Sequence, residues 1–279
     1  MPESILKGVE PIIDEALGLK NCGIGKQPHY KHKTSCLKLS ESAPSTFDAK
    51  ALIQKIFDLV KLNWKEGINC RPSIENWRFE SRPDIDLRND DPEIKLERAI
   101  VSTQPQPPIN WANQTPTSSG FIGPRADKHR NIDLIHRCED GAYEFIELKV
   151  ESDTPLYAAM EILQNAVLYI FSRENQQKME WGSAKQELLL EATVIHLRVL
   201  APYSYYEGYN LNWLEAGICN GLKAFLAGRT PKLQMDFRFD AFPPWFSSGH
   251  AKAICKDLSK EQAESIRMAV DNRRLIYST

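Results

Sequence analysis

An α/β fold is expected from three features of the chain. Two adjacent β-rich runs, Asn131 to Ile135 and Tyr143 to Val150, flank the turn signal Asp140-Gly141 and so read as a hairpin. Helix starts with a capping residue followed by proline stand at Asp91-Pro92 and Thr154-Pro155. A later run, Leu233 to Ala241, alternates apolar and polar residues and reads as a strand near a sheet edge with one wet face.

The elements follow in chain order. Residues 4–19 place Ile5, Val9, Ile12, Ile13, Ala16 and Leu17 at helical spacing, with Gly8 and Pro11 implying a late start. A second helix is expected from Phe47, capped by Thr46, through Ile53, Phe57, Val60 and Trp64. Residues 1–90 therefore form a helical and loop extension, expected mainly to cover the sheet. Residues 91–245 form the α/β core. Its first helix carries Ile94, Glu97, Ile100 and Val101 on one stripe, so the Glu97 carboxylate sits among apolar groups and needs a cation or hydrogen-bond donor. The bland reading is a helix-edge glutamate paired with lysine or arginine. After the hairpin, Met160, Leu163, Val167 and Ile170 form the stripe of a helix from Pro155 to about Phe171, and a strand follows from about Glu191 to Leu200. Leu214, Ile218, Leu222 and Phe225 make another helix, ended by Gly228. Residues 246–279 add a C-terminal helical segment, with Ser259 and Gln262 as a capping box.

Candidate chemistry concentrates on the hairpin. Side chains two apart in a strand share a face, so Glu147 and Lys149 project together, with Cα atoms roughly 6.5–7 Å apart. Ile146, Leu148 and Val150 hold the opposite, apolar face, and the charged pair is expected to be half-buried. Asp133 lies on the partner strand. Two carboxylates beside a lysine read as a metal-dependent site for cleaving phosphodiesters.

Composition is that of a globular protein: 279 residues, 42% hydrophobic and 26% charged, enough for a sizeable core. No apolar run approaches the roughly 18 residues of a membrane span, and Met1-Pro-Glu-Ser4 lacks the basic start of a signal peptide, so a cytoplasmic protein without a membrane partner is expected. Six scattered cysteines fit reduced thiols. The formal net charge of −2 is low for a nonspecific nucleic-acid binder. A local patch can substitute: Arg125, Lys128, His129, Arg130 and Arg137 flank Asp133, and Lys26, Lys31, Lys33 and Lys38 cluster with His29 and His32.

Several patterns weigh less. Cys22, His29, His32 and Cys36 have zinc chemistry at an unusual spacing and read better as a basic loop with incidental thiols. Gly18, Gly23, Gly25 and Lys26 lack the strand and the following Ser/Thr of a phosphate loop. Tyr203, Tyr205, Tyr206, Tyr209 and Trp213 read as a cap on the core rather than a base-stacking platform.

The ordered set of Glu97 on a helix, Asp133, Glu147-Leu148-Lys149, a helix and a further strand resembles the PD-(D/E)XK nuclease superfamily, over about half of the chain. The resemblance implies a restriction-endonuclease-like core, a mixed sheet in the order αβββαβ flanked by helices. Ile132 stands where that motif has proline; the literal Pro83-Asp84 lies too far upstream and reads as a linker. By resemblance, Asp133, Glu147 and the Leu148 carbonyl would hold Mg²⁺ or Mn²⁺, Glu97 would join through water or hold a second ion, and Lys149 would orient the attacking water or stabilise developing charge. Gln164 is either a site residue, as in the RecB-like branch, or an ordinary exposed helix residue; Tyr169 is off that face. Arg125, Lys128, Arg130 and Arg137 would contact phosphates. DNA is the expected substrate, and a homodimer or a partner protein is compatible. A noncatalytic relative acting as a nucleic-acid- or protein-binding module is the alternative.

Overall fold

The computed structural model describes residues 3–19, 29–64, 72–85, 90–104, 110–181, 189–229 and 232–277. Its centre is a mixed six-stranded sheet of β1 (Trp111–Pro116), β2 (Asn131–Glu139), β3 (Ala142–Leu148), β4 (Val194–Ala201), β5 (Gln234–Ala241) and β6 (Arg274–Leu275), paired in that order. β1, β2 and β3 are antiparallel, β3, β4 and β5 parallel, and β6 closes antiparallel on β5. The Asp140-Gly141 turn closes the hairpin as expected, with Gly141 at φ 74°, where a Cβ would be strained. Helix α4 (Pro92–Thr103) precedes β1, and α5 (Pro155–Glu174) makes the crossover from β3 to the parallel β4.

The capping signals act where the sequence places them. The Asp91 side chain accepts from the Glu93 amide, the Thr154 side chain accepts from the Tyr157 amide, and Pro92 and Pro155 occupy the first helical positions. The N-terminal helix is shorter than its apolar pattern, α1 (Val9–Ala16), with Gly8 at φ 91° before it. It is followed by α2 (Lys33–Glu41) and α3 (Ala49–Asn63). α3 starts two residues later than expected because Asp48, not Thr46, caps it, accepting from the Ala51 amide. Phe47 instead packs edge-on against Trp213, at 5.0 Å between centroids.

Two apolar clusters cover the two faces of the sheet. On one, α5 and α6 (Asn212–Leu226) lie over Tyr143, Phe145, Leu197 and Phe237, and the cluster continues outward into Val9, Ile13, Ile53, Ile56 and Val60. The N-terminal segment therefore does not cover the sheet directly; it forms a further layer on α5 and α6. That arrangement explains why α5 is buried nearly all round. On the opposite face, α4 and the C-terminal helices α7 (Ser248–Lys252) and α8 (Lys260–Asp271) lie over Leu134, Ile146, Leu148, Leu200 and Phe242. The Ser259/Gln262 capping box opens α8 as expected. The tyrosine-rich run forms a 3₁₀ turn, Tyr203–Tyr206, whose Tyr206 hydroxyl shares its one hydrogen between the carbonyls of Val199 and Asp240, at 2.8 and 2.9 Å, so it caps the core.

α3 and α6 approach closely at Gly221. A Cβ built there would lie 2.6 Å from the Ala49 Cβ and 2.8 Å from the Ala49 carbonyl carbon, so backbone would have to move. Alanine regains about 1 kcal/mol of helix propensity, while overpacking costs about 1–3 kcal/mol. Gly221→Ala should therefore lower stability in urea denaturation, by up to about 2 kcal/mol; a raised midpoint would show that the two helices are not in backbone contact.

Candidate active site: an acidic cleft at the end of the hairpin

The hairpin register sets Leu134 opposite Ile146 and Ile135 opposite Phe145, which brings Asp133 alongside Glu147 on the face covered by α5. The Leu148 amide donates to Asp133 Oδ2 at 2.8 Å, locking the aspartate across the strands. Just beyond β3, the Lys149 amide still bonds to the Leu200 carbonyl at 2.9 Å, so the lysine keeps strand geometry. Its Nζ lies 2.8 Å from Glu147 Oε1 and 2.9 Å from Glu161 Oε2 on α5. Glu147 and Lys149 are only 5% and 6% exposed, so the expected half-wet pair is fully buried: α5 closes over it.

Glu97 is 4% exposed within the apolar stripe of α4, beside Leu96, Ala99, Ile100 and Val101. Its hydrogen-bond partner is an amide rather than the lysine or arginine of the bland reading: Asn113 Nδ2 donates to Oε1 at 3.0 Å. Asn113 and Gln114 on β1 were missed in the sequence, where neither β1 nor any site role was assigned to this polar run ending in proline. Gln114 has φ 48°, rare for a residue with a Cβ, and the ladder between β1 and β2 skips it between Asn113 and Thr115. The break turns Gln114 into the same cleft as Glu97 and Asp133.

The cleft holds about 290 Å³ and is lined by Glu97, Asp133, Glu147 and Glu161 against Lys149, Arg130 and His129. Four carboxylates face the fixed positive charges of Lys149 and Arg130, and burial first, then mutual repulsion, sets the pKa directions. Burial, with the Asp133 charge added, pushes Glu97 and Glu147 well above the usual carboxylate range. Burial also pushes Asp133 up to about 7, against the pull of Lys149 and the Leu148 amide. Burial disfavours the Lys149 ammonium, but Glu147, Glu161, Asp133 and Glu93 outweigh it and hold the lysine protonated. Such crowding of hard oxygen donors with too few cations is the environment a divalent ion satisfies. Asp133 and Glu147 fit a ligand role directly. Leu148 reaches the site visibly through its amide, as the donor to Asp133.

Other expected residues divide. Arg130 and His129 line the cleft mouth, and Arg130 Nε lies 3.5 Å from Asp127. Arg125 and Lys128 are exposed on the loop before β2. Arg137 does not flank Asp133: it pairs with Asp140 at the hairpin tip, four residues along the strand and so about 13 Å away. Gln164 is neither exposed nor in the cleft; it is 2% exposed and donates to the Met160 carbonyl in its own helix. The helical period explains this, because Glu161 and Asn165, a turn apart, occupy the cleft-facing side. Tyr169 points away, donating to the Leu189 carbonyl.

The N-terminal segment reaches the site through aromatic rings. Tyr30 stacks on Tyr157 at 5.8 Å, and Lys149 Nζ lies 5.9 Å from the Tyr157 ring. In the basic cluster near the start, Lys31 pairs with Glu10, and His29 meets Glu10 and Asp14. Cys36 is buried and forms no metal-spaced group with these histidines among the described residues. Cys22, Gly23, Gly25 and Lys26 lie outside the described residues. Among the described residues, the one set of three His, Cys, Asp or Glu side chains whose ligand atoms all lie within 4.8 Å of one another is His136, Cys138 and Glu144; the acidic-cleft carboxylates are not gathered that tightly. There Glu144 is already engaged: burial opposes its ionisation, but His136, Arg273 and Arg198 bring it down to about 2. Two guanidinium groups beside it leave no deficit for a metal to fill.

The raised Asp133 pKa fixes a pH signature. Unfolded aspartate titrates near 3.9. The native state keeps its proton until about pH 7, so this group's contribution to stability is full below about pH 4 and is lost as pH rises through about 7. Thermal unfolding in chelator should show that loss, and Asp133→Asn should flatten it. Added Mn²⁺ should raise the melting temperature increasingly above about pH 7, where the carboxylate is free to bind. Identical pH profiles for the two proteins, with no metal shift at alkaline pH, would contradict this account.

Comparison with known protein families, curated proteins and solved structures returns no match, so the functional reading rests on the geometry of this cleft.

Proposed function

We propose that this protein is a metal-dependent nuclease of the PD-(D/E)XK type, with a restriction-endonuclease-like core, acting on DNA. The observation that carries the proposal is the convergence of Glu97, Asp133 and Glu147, from a helix and two strands, on one buried cleft beside Lys149. The order α4-β1-β2-β3-α5-β4, with β1 to β3 antiparallel and β4 parallel to β3, supports the same reading, since it matches the core that the resemblance implies. Stability alone gives no reason to bury three carboxylates together with a single lysine.

Mg²⁺ or Mn²⁺, when bound, supplies Lewis acidity toward the scissile phosphate and a water of lowered pKa. Asp133 and Glu147 would hold it, and Glu97, on the wall of the same cleft, would act through a water or hold a second ion. Lys149 acts as a cation rather than a base, because its carboxylate neighbours keep it protonated. Its ammonium is placed to stabilise charge developing on the phosphate. Glu161 is a positioning residue: it anchors the lysine from α5 and would remain its charge-balancing partner with Glu147 serving as a metal ligand. Arg130 and His129 at the mouth take the flanking phosphates. Among the described residues no helix is long and apolar enough to cross a membrane.

Purified protein should nick or degrade plasmid or single-stranded DNA with Mg²⁺ or Mn²⁺ and not with chelator. Asp133→Asn and Glu147→Gln should abolish cleavage, Lys149→Met should reduce it by about 10²–10³-fold, and Glu161→Gln by about 10–100-fold. Folded protein that binds DNA but never cleaves it would point to the noncatalytic alternative. Cleavage that survives Asp133→Asn and Glu147→Gln would overturn the assignment of this cleft.

A further inference from the structure

Beside the acidic cleft, the sheet edge is built around a strained backbone position. β1 is the edge strand, and residues 76–82 run along its free side: the Trp77 amide donates to the Pro116 carbonyl, the Asn113 amide to the Glu80 carbonyl, and Thr115 Oγ1 to the Arg78 carbonyl. Between these contacts Gln114 sits at φ 48°, a left-handed position that glycine fills without strain and a residue with a Cβ does not. A buried guanidinium holds the break. Arg78, 1% exposed, donates from Nη2 to the Gln114 carbonyl at 2.7 Å and from Nη1 to the Asn113 carbonyl at 3.4 Å. Strain and a buried charge together keep a long polar side chain where glycine would suit the turn better.

The neighbouring Asn113 is aimed at one carboxylate. Its Oδ1 accepts from the Arg82 amide at 2.7 Å, and a backbone N–H can only donate, so the orientation of the side-chain amide is fixed. Its Nδ2 then donates to the Arg82 carbonyl at 3.1 Å and to Glu97 Oε1 at 3.0 Å. Asn113 is wholly buried, so Glu97 is held by a donor that cannot turn away. Gln114 lines the cleft with Glu97 and Asp133, and its amide, like that of Asn113, draws Glu97 toward the charged form against the larger effect of burial.

We propose that Asn113 and Gln114 are positioning residues for Glu97, holding its carboxylate toward the acidic cleft to serve a divalent ion, with Arg78 as the clamp that keeps them in place. The inference rests on the nuclease reading of that cleft and adds to it a supporting layer supplied by the N-terminal segment. Side-chain amides suit the task. They donate to a carboxylate without adding charge, whereas a lysine or arginine in the same place would neutralise it and repel the ion. Groups that orient metal-serving side chains in this way typically contribute about 10–100-fold in metal affinity or activity.

Titration calorimetry with Mn²⁺, without DNA, tests this together with urea denaturation of the same proteins. Gln114→Gly relieves the left-handed strain, so its urea midpoint should equal or exceed that of the wild type while its Mn²⁺ affinity falls by about tenfold or more. Gln114→Met, which keeps the length and loses the amide, should share the loss of affinity. Glu97→Gln should weaken Mn²⁺ similarly, and the double variant Glu97→Gln with Gln114→Gly should bind no more weakly than Glu97→Gln alone, as expected of a residue acting through Glu97. Unchanged Mn²⁺ affinity in Gln114→Gly, a loss that adds in full to that of Glu97→Gln, or a loss accompanied by a lowered urea midpoint would overturn the inference. Wild-type protein that binds no Mn²⁺, or binds it equally after Asp133→Asn, would overturn the nuclease reading and this inference with it; Mn²⁺ binding that needs Asp133 but not Gln114 would overturn the inference alone.

Discussion

The Lys149 ammonium, held between Glu147 and Glu161, is the interaction on which the rest of the site depends. It joins the end of β3 to α5 and supplies the main buried positive charge among four carboxylates. Removing one partner of such a pair leaves an uncompensated buried charge, far more costly than the pair itself. The apolar layers explain why the arrangement holds. α5 packs against the sheet on one side and against α3 on the other, so the helix carrying Glu161 cannot move away from the lysine without opening the largest core cluster.

The sheet carries two charged clusters with opposite electrostatics. In the acidic cleft the carboxylates outnumber the cations, and Glu97, Asp133 and Glu147 are pushed up. On the opposite face, His136, Glu144, His196 and Asp236 stand in register across β2 to β5, with Arg198 and Arg273 supplying cations. There Glu144 and Asp236 are lowered despite burial, because nearby histidine and arginine groups outweigh it. Cross-strand pairing of opposite charges accounts for that second cluster as sheet stabilisation. The first has no such account, and its unbalanced charge is what makes it the candidate functional site.

The N-terminal segment shows how an outer layer can bear on a distant site. It touches the sheet little, yet its Tyr30 ring backs Tyr157, which lies beside Lys149. Burial raises the Tyr30 hydroxyl pKa, with Glu10 and Glu161 adding to the effect, so both tyrosines stay neutral and act as a wall rather than as proton carriers. That wall covers the ammonium beside Glu161.

Local physics was legible in the sequence. The caps at Asp91, Thr154 and Ser259, the Asp140-Gly141 turn and the shared face of Glu147 and Lys149 each depend on residues within a few positions of one another, and the structure holds them all. Three features depended on packing between distant segments and were decided only in three dimensions. Glu161 rather than Gln164 faces the cleft, because the rotation of α5 is set by the layers on both its sides. Gln114 enters the cleft through a left-handed backbone position that periodicity cannot register. Arg137, near Asp133 in sequence, is carried away to the hairpin tip because an extended strand separates residues faster than their numbering suggests. The chain alone thus determined the capped helices, the hairpin and its chemical character; the tertiary fold decided which side chains share one buried, charge-starved space, because burial and its pKa consequences arise only when separate elements close over one another.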